Sequence, residues 1–178
     1  FNPIAGLAAL WTKQTLTPEN LDWLKNLPQG PLEMQDVPGV QLVHGSPLDE
    51  DEYIIVVRDA YEPLSTTVAQ LTFFGHTHIQ GGFAVEGEAW ETLRPVYKTR
   101  DRVETVEPQL KQTAKYLINP GSAGQPRDGD PRAGFALFDS EAYTVSYIRV
   151  PYNIQLAQKH ILDAKLPERL ATRLTDGR

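Results

Sequence analysis

Three short apolar runs in this chain stop at polar turns built around glycine, and no other feature restricts its fold as much. Residues 40–43 run into His44-Gly45-Ser46-Pro47, residues 71–74 into Gly75-His76-Thr77-His78, and residues 115–118 into Asn119-Pro120-Gly121-Ser122. Runs of this length, bounded by turn residues, read as strands rather than helices. A strand end is a rigid platform for side chains that must converge, and Gly45 and Gly75 allow the backbone to turn tightly beside it. Of the four histidines in the chain, three (His44, His76 and His78) stand at such ends. The fourth, His160, falls on a helical pattern and is given no role.

The segments around these strands are mixed. Leu7, Ala8, Leu10 and Trp11 recur at helical spacing over residues 6–15. Thr17 then precedes Pro18 as an N-cap for a second helix over 18–27, which ends at Pro28, Gly30 and Pro31. Residues 53–57 are apolar between polar flanks and fit helix and strand equally. The stretch 85–110 reads as a surface hairpin or long loop. Residues 134–138 and 144–150 form a hairpin, with Val145, Tyr147 and Arg149 on one side of its second strand. Ile154, Leu156, Ala157, Ile161 and Leu162 mark a helix over 153–166, and Pro167 opens a short last one. Helices, strands, a hairpin and helices again indicate an α/β or α+β layered sandwich.

Length and charge narrow the function classes. At 178 residues one domain over 1–178 is the expectation. The net charge of −6 comes with basic residues that form no stripe, so the footprint of a nucleic-acid binder is absent. With no cysteine, disulfides and thiolate metal sites are excluded, and a metal has only His, carboxylate or amide ligands to use. No stretch approaches the roughly 20 apolar residues of a membrane-spanning helix. A cytoplasmic location is the expectation.

In an extended segment His76 and His78 would share a side, about 7 Å apart at Cα. That suits two ligands of one metal or one ligand for each of two, and spacing does not choose between them. Asn119-Pro120-Gly121-Ser122 can cradle a phosphate with its backbone N–H groups or serve as a plain β-turn. Arg127 and Arg132 either reach a phosphate or pair with Asp128 and Asp130 to stiffen their loop, and the local pairing is the default.

Taken together, "LVHGSP", "FFGHTH" and "LINPGSAGQPRDGDPRAGFALFD" resemble, in order, the motifs of the calcineurin-like metallophosphoesterase superfamily, most closely its small bacterial phosphodiesterase branch. The resemblance covers residues 1 to 150. It implies an α/β/β/α sandwich of two sheets flanked by helices, with a two-metal site at the strand C-termini. It assigns His44 and His76 to one metal and His78 to the other, the pair being Mn, Fe, Zn, Ni or Co. It implies phosphodiester or small phosphomonoester hydrolysis, with Asn119, Gly121, Ser122 and Arg127 as the substrate-binding set.

The family's first third also supplies an Asp-x-His pair, a Gly-Asp whose Asp bridges the metals, and an Asn-His-Asp segment. None of these precedes His44 here, and the chain opens FNPIAG with Met34 its only methionine. The expectation is therefore the C-terminal part of a metallophosphoesterase, inactive alone, with the family's acid and bridging carboxylate missing. It would self-associate as a homo-oligomer or strand-exchanged dimer. The alternative is a degenerate, non-catalytic metal-binding or scaffold member of the same fold.

Overall fold

The computed structural model describes residues 2–178. In chain order the elements are helices α1 (Pro3–Thr15) and α2 (Pro18–Lys25), strands β1 (Leu32–Glu33) and β2 (Val40–Leu42), helix α3 (Tyr61–Thr66), and strands β3 (Leu71–Phe73), β4 (Gly81–Glu86), β5 (Ala89–Leu93), β6 (Glu104–Val106), β7 (Lys115–Asn119), β8 (Ala133–Asp139) and β9 (Thr144–Val150). Helices α4 (Ile154–Asp163) and α5 (Glu168–Thr172) follow, with a final 3₁₀ turn at Arg173–Thr175. Contacts divide the chain into two compact units.

The helical unit comprises residues 2–29 and Asn153–Thr175. Its helices start where caps dictate. The Asn2 side chain accepts the Ile4 N–H, Thr17 accepts that of Asn20, and Asn153 accepts that of Leu156; Pro3 and Pro18 occupy first-turn positions that have no intrahelical donor to lose. The first helix begins earlier than its apolar spacing indicates, because Asn2-Pro3 is itself a start signal. No residue of α1 or α2 is buried, and Leu7, Leu10 and Trp11 are exposed. No helix is long and apolar enough to cross a membrane among the described residues.

The β unit spans Gly30–Tyr152 with Asp176–Arg178. Six strands form one sheet in the order β1-β2-β3-β7-β4-β5, and three form a second, β6-β9-β8. Strands β2, β3 and β7 run parallel, so the turns that follow them share one edge; β4 runs antiparallel to β7 and starts from that same edge. Alternation across the large sheet makes two cores. Leu71, Tyr116, Ile118 and Ala84 join Val145 and Tyr147 of the small sheet in one cluster. Leu117, Phe83 and Phe74 point the other way and pack with Ile54, Ala60 and Leu64 beneath α3. Strand β7, covered on both faces, accordingly reads as an unbroken apolar run.

The hairpin β8–β9 matches its sequence reading, with Val145, Tyr147 and Arg149 all buried. One edge of the small sheet is β8, which exposes Phe135 and Leu137. Strand β4 starts four residues earlier than the expected excursion at 85. Its opening pair, Gly81-Gly82, has a steric reason: a Cβ on Gly82 would lie 2.0 Å from the Leu117 carbonyl oxygen of β7. Residues 53–57 adopt neither regular structure. The Asp59 carboxylate accepts the N–H groups of Ile55 and Val56 and bends the segment into turns.

Candidate functional site

The parallel strand ends deliver the histidines. After β2, the His44 carbonyl accepts the Gly75 N–H at 2.8 Å, which ties the first turn to the second by main chain alone. Gly45 must be glycine here, since a Cβ would meet the Glu50 carbonyl oxygen at 2.4 Å. After β3, Thr77 N–H closes a three-residue turn on Gly75 C=O at 2.6 Å, with His76 at its centre. His76 and His78 are both left-handed, at φ +57° and +60°. They are therefore not on an extended segment as their spacing suggested; the backbone curls at each and re-aims both rings. Such conformations cost energy in residues with a Cβ and persist only where neighbours enforce them.

Asn119 is the enforcer. Buried at the end of β7, its side-chain amide donates to Gly75 C=O at 2.8 Å and to Thr77 Oγ1 at 2.9 Å, while its Oδ1 accepts the Gly121 N–H at 2.9 Å. The Asn-Pro-Gly-Ser turn and the histidine turn are thus one unit. Ser122 Oγ accepts the Gln125 N–H at 2.9 Å, and Gln125 in turn presents its carbonyl to His78 Nδ1 at 2.8 Å. A carbonyl accepts only, so Nδ1 of His78 carries a proton and donates it.

His44 Nε2 and His76 Nδ1 face each other at 3.0 Å, and the Tyr53 ring lies against His76 at a centroid distance of 4.1 Å. Burial, the neighbouring His44 and Arg127 lower the His76 pKa below its ordinary 6.5, against an opposing pull from Asp51, so the ring is held neutral. Arg127 donates its backbone N–H to His78 C=O at 3.1 Å and its Nη2 to Gln125 Oε1 at 3.1 Å; its Nε is buried with no hydrogen-bond partner. His160 lies exposed in the helical unit.

Behind Arg127 a second polar network stiffens the loop. Arg132 pairs with Asp130 as its sequence position suggests, and also with Glu104 at 2.9 Å. Asp128 pairs with Arg149 of β9, not with Arg127. Arg149 Nε and the Tyr97 hydroxyl both donate to Gln80 Oε1, at 2.9 and 2.6 Å, and burial pushes the Tyr97 phenol up to about 12, so it stays a donor. The Lys98 and Thr99 N–H groups, with Arg132, hold the Glu104 carboxyl down to about 2 from an ordinary 4.5. A lowered folded-state pKa contributes stability that is complete above the unfolded value and lost as pH falls through the folded one. The gap in urea midpoint between the parent chain and Glu104→Gln is therefore expected to be widest at neutral pH and to close between about 4.5 and about 2; a gap independent of pH would contradict the assignment.

No family model matches the chain. It is 32% identical over 180 residues to the uncharacterized protein MJ0912 of Methanocaldococcus jannaschii, a match covering all of this chain and 68% of the relative. Its structure superposes on the crystal structure of a metallophosphoesterase from Sphaerobacter thermophilus with a TM-score of 0.77 and 35% identity, over 100% of this chain and 69% of that one. The chain belongs to the metallophosphoesterase family. The hypothetical protein PH1004 of Pyrococcus horikoshii, at 20% identity and a TM-score of 0.65 over 94% of this chain and 57% of its own, shares the fold. The calcineurin-like resemblance and the layered sandwich of the metallophosphoesterase type both hold.

Metallophosphoesterases generally use divalent metals. Two ligands of one ion, each at about 2.1 Å, stand roughly 3.0–3.4 Å apart, and the facing nitrogens of His44 and His76 meet that spacing. Among the described residues, however, no group of three or more His, Asp or Glu side chains is placed to hold a metal. The imidazoles fit part of a centre, not a whole one. Tyr53, Gln125 and Gln80 are contributors that the sequence did not single out. Gln125 had a signal, since it lies in the loop after the Asn-Pro-Gly-Ser turn; Tyr53 had none.

Proposed function

We propose that this metallophosphoesterase chain carries the histidine and arginine half of a metal-dependent site for hydrolysing phosphate esters, phosphodiesters ahead of small phosphomonoesters. The observation that supports it best is the approach of His44 Nε2 to His76 Nδ1 at 3.0 Å, from two strand ends bonded to each other through Gly75 N–H and His44 C=O. Divalent ions held there would polarise the phosphoryl oxygens. The chain's own residues do the rest. His44 Nε2 and His76 Nδ1 stand 3.0 Å apart at one point, and His78 is oriented by its Nδ1 contact with the Gln125 carbonyl. Arg127 brings a buried N–H that lacks a partner, the natural contact for an anionic oxygen. Asn119, Gly121 and Ser122 hold the two turns in register around the phosphate.

With no group of three or more His, Asp or Glu side chains placed to hold a metal among the described residues, hydrolysis by these 178 residues alone is expected to stay near background. Further acidic ligands would complete the centre. Mn²⁺ binding followed by electron paramagnetic resonance, together with turnover of bis(p-nitrophenyl) phosphate, tests both statements. His44→Ala is expected to weaken Mn²⁺ binding by about tenfold or more, the scale on which lost ligation groups act. Equal Mn²⁺ affinity in parent and variant would overturn the metal assignment, and rapid turnover by the parent chain would overturn the need for further ligands.

A further inference from the structure

Three segments that meet at the histidines go on to line a cavity of about 340 Å³ beside them. The Tyr53 ring packs tilted against His76, and the next two residues, Ile54 and Ile55, form one wall. Phe74 and Ile79 bracket the Gly-His-Thr-His turn and both face the cavity. Arg127 bonds to His78, and its neighbour Asp128 forms part of the cavity's lining. The volume lies in the range of small-molecule sites, about 300–1,000 Å³, whose pattern is apolar walls with a few convergent polar groups. Phe83 and Leu93 extend the apolar surface, and Asp128, Asp130 and Tyr97 bring the polar groups.

We propose that this cavity receives the alcohol half of the phosphate ester, and that it selects a flat ring carrying a hydrogen-bond donor on its edge. The assignment rests on the phosphoesterase reading for where the phosphate sits. Charge does not divide the site, since Arg94 and Arg149 share the lining with Asp128 and Asp130; the apolar walls set the orientation, taking the ring and leaving the phosphate to His44, His76 and Arg127. Asp128 already accepts from Gln80 N–H, Arg149 and Asp130 N–H. A carboxylate offers about four lone-pair sites, so one acceptor site remains for a ligand N–H or O–H. The walls are side chains of Ile, Phe, Leu and Tyr, which favour a ring over a hydrated aliphatic polyol.

Binding of methyl phosphate, phenyl phosphate, 4-aminophenyl phosphate and 4-aminophenol to the full chain, followed by amide chemical shifts, tests this. The expected order is 4-aminophenyl phosphate over phenyl phosphate over methyl phosphate, with about tenfold or more between the first and last, the scale of an apolar pocket contact. Ile55 is 47% exposed, so Ile55→Glu should fold normally. It should lower aryl ester affinity more than methyl phosphate affinity, and so abolish the aryl preference. 4-Aminophenol, which has no phosphate, should still shift the Ile79 and Phe83 amides in the His44→Ala variant. Equal affinity for methyl and aryl esters, or 4-aminophenol leaving the cavity amides unmoved, would overturn the proposal. Aryl binding at the cavity without any affinity for phosphate would retain the ring site and remove the hydrolytic reading instead.

Discussion

Arg149→Met is expected to lower the free energy of unfolding by about 3–5 kcal/mol, the cost of breaking a buried ion pair from one side. Arg149 is 2% exposed, and every direction of its guanidinium is used: Nη2 on Asp128, Nε on Gln80 Oε1, Nη1 on the Arg132 carbonyl. Methionine fills the volume but leaves Asp128 charged and largely buried, with Gln80 short of a donor. Urea unfolding at neutral pH measures the loss. The double variant Arg149→Met with Asp128→Asn should recover part of it, because the stranded charge is then gone. A single variant as stable as the parent would show that the network carries no stability.

Asn119→Ala ranks second, with an expected loss of about 3 kcal/mol from removing three buried hydrogen bonds at once. The Gly75 carbonyl, the Thr77 hydroxyl and the Gly121 N–H each lose their Asn119 contact together. The functional effect should exceed the stability effect, since these contacts keep the histidine turn curled. Asn119→Asp is the sharper probe. It keeps the shape and the acceptor for Gly121, yet it turns a carboxylate oxygen toward the Gly75 carbonyl and should weaken Mn²⁺ binding as much as alanine does. Unchanged Mn²⁺ affinity in both variants would separate Asn119 from the positioning of His76.

The strand ends were legible because each combines a β-prone run with glycine and a chemistry-bearing side chain, and the resemblance rested on those turns. The face shared by Val145, Tyr147 and Arg149 was legible from alternation alone. The pairing of Arg149 with Asp128 was not, because nothing local links residues on a strand and a loop 21 positions apart. Residues 53–57 resisted assignment for a physical reason: Ile54 is buried while Tyr53, Ile55 and Val56 are exposed, so the run has neither period. Strand β1, two residues long, and α3, six residues long, carry too few positions for any period to register. The curled backbone at His76 and His78 left no trace in the sequence, since histidine tolerates that region better than most residues but does not announce it.

That curl changes how the two positions should be mutated. Alanine at 76 or 78 removes an imidazole and at the same time installs a side chain less at ease with positive φ, so a drop in melting temperature would mix two causes. Asparagine or glycine adopts the same backbone more readily, and either would report the missing nitrogen with less folding penalty attached. A glycine variant that melts higher than the parent while binding less Mn²⁺ would reveal how much rigidity the wild-type sequence forgoes to aim its rings.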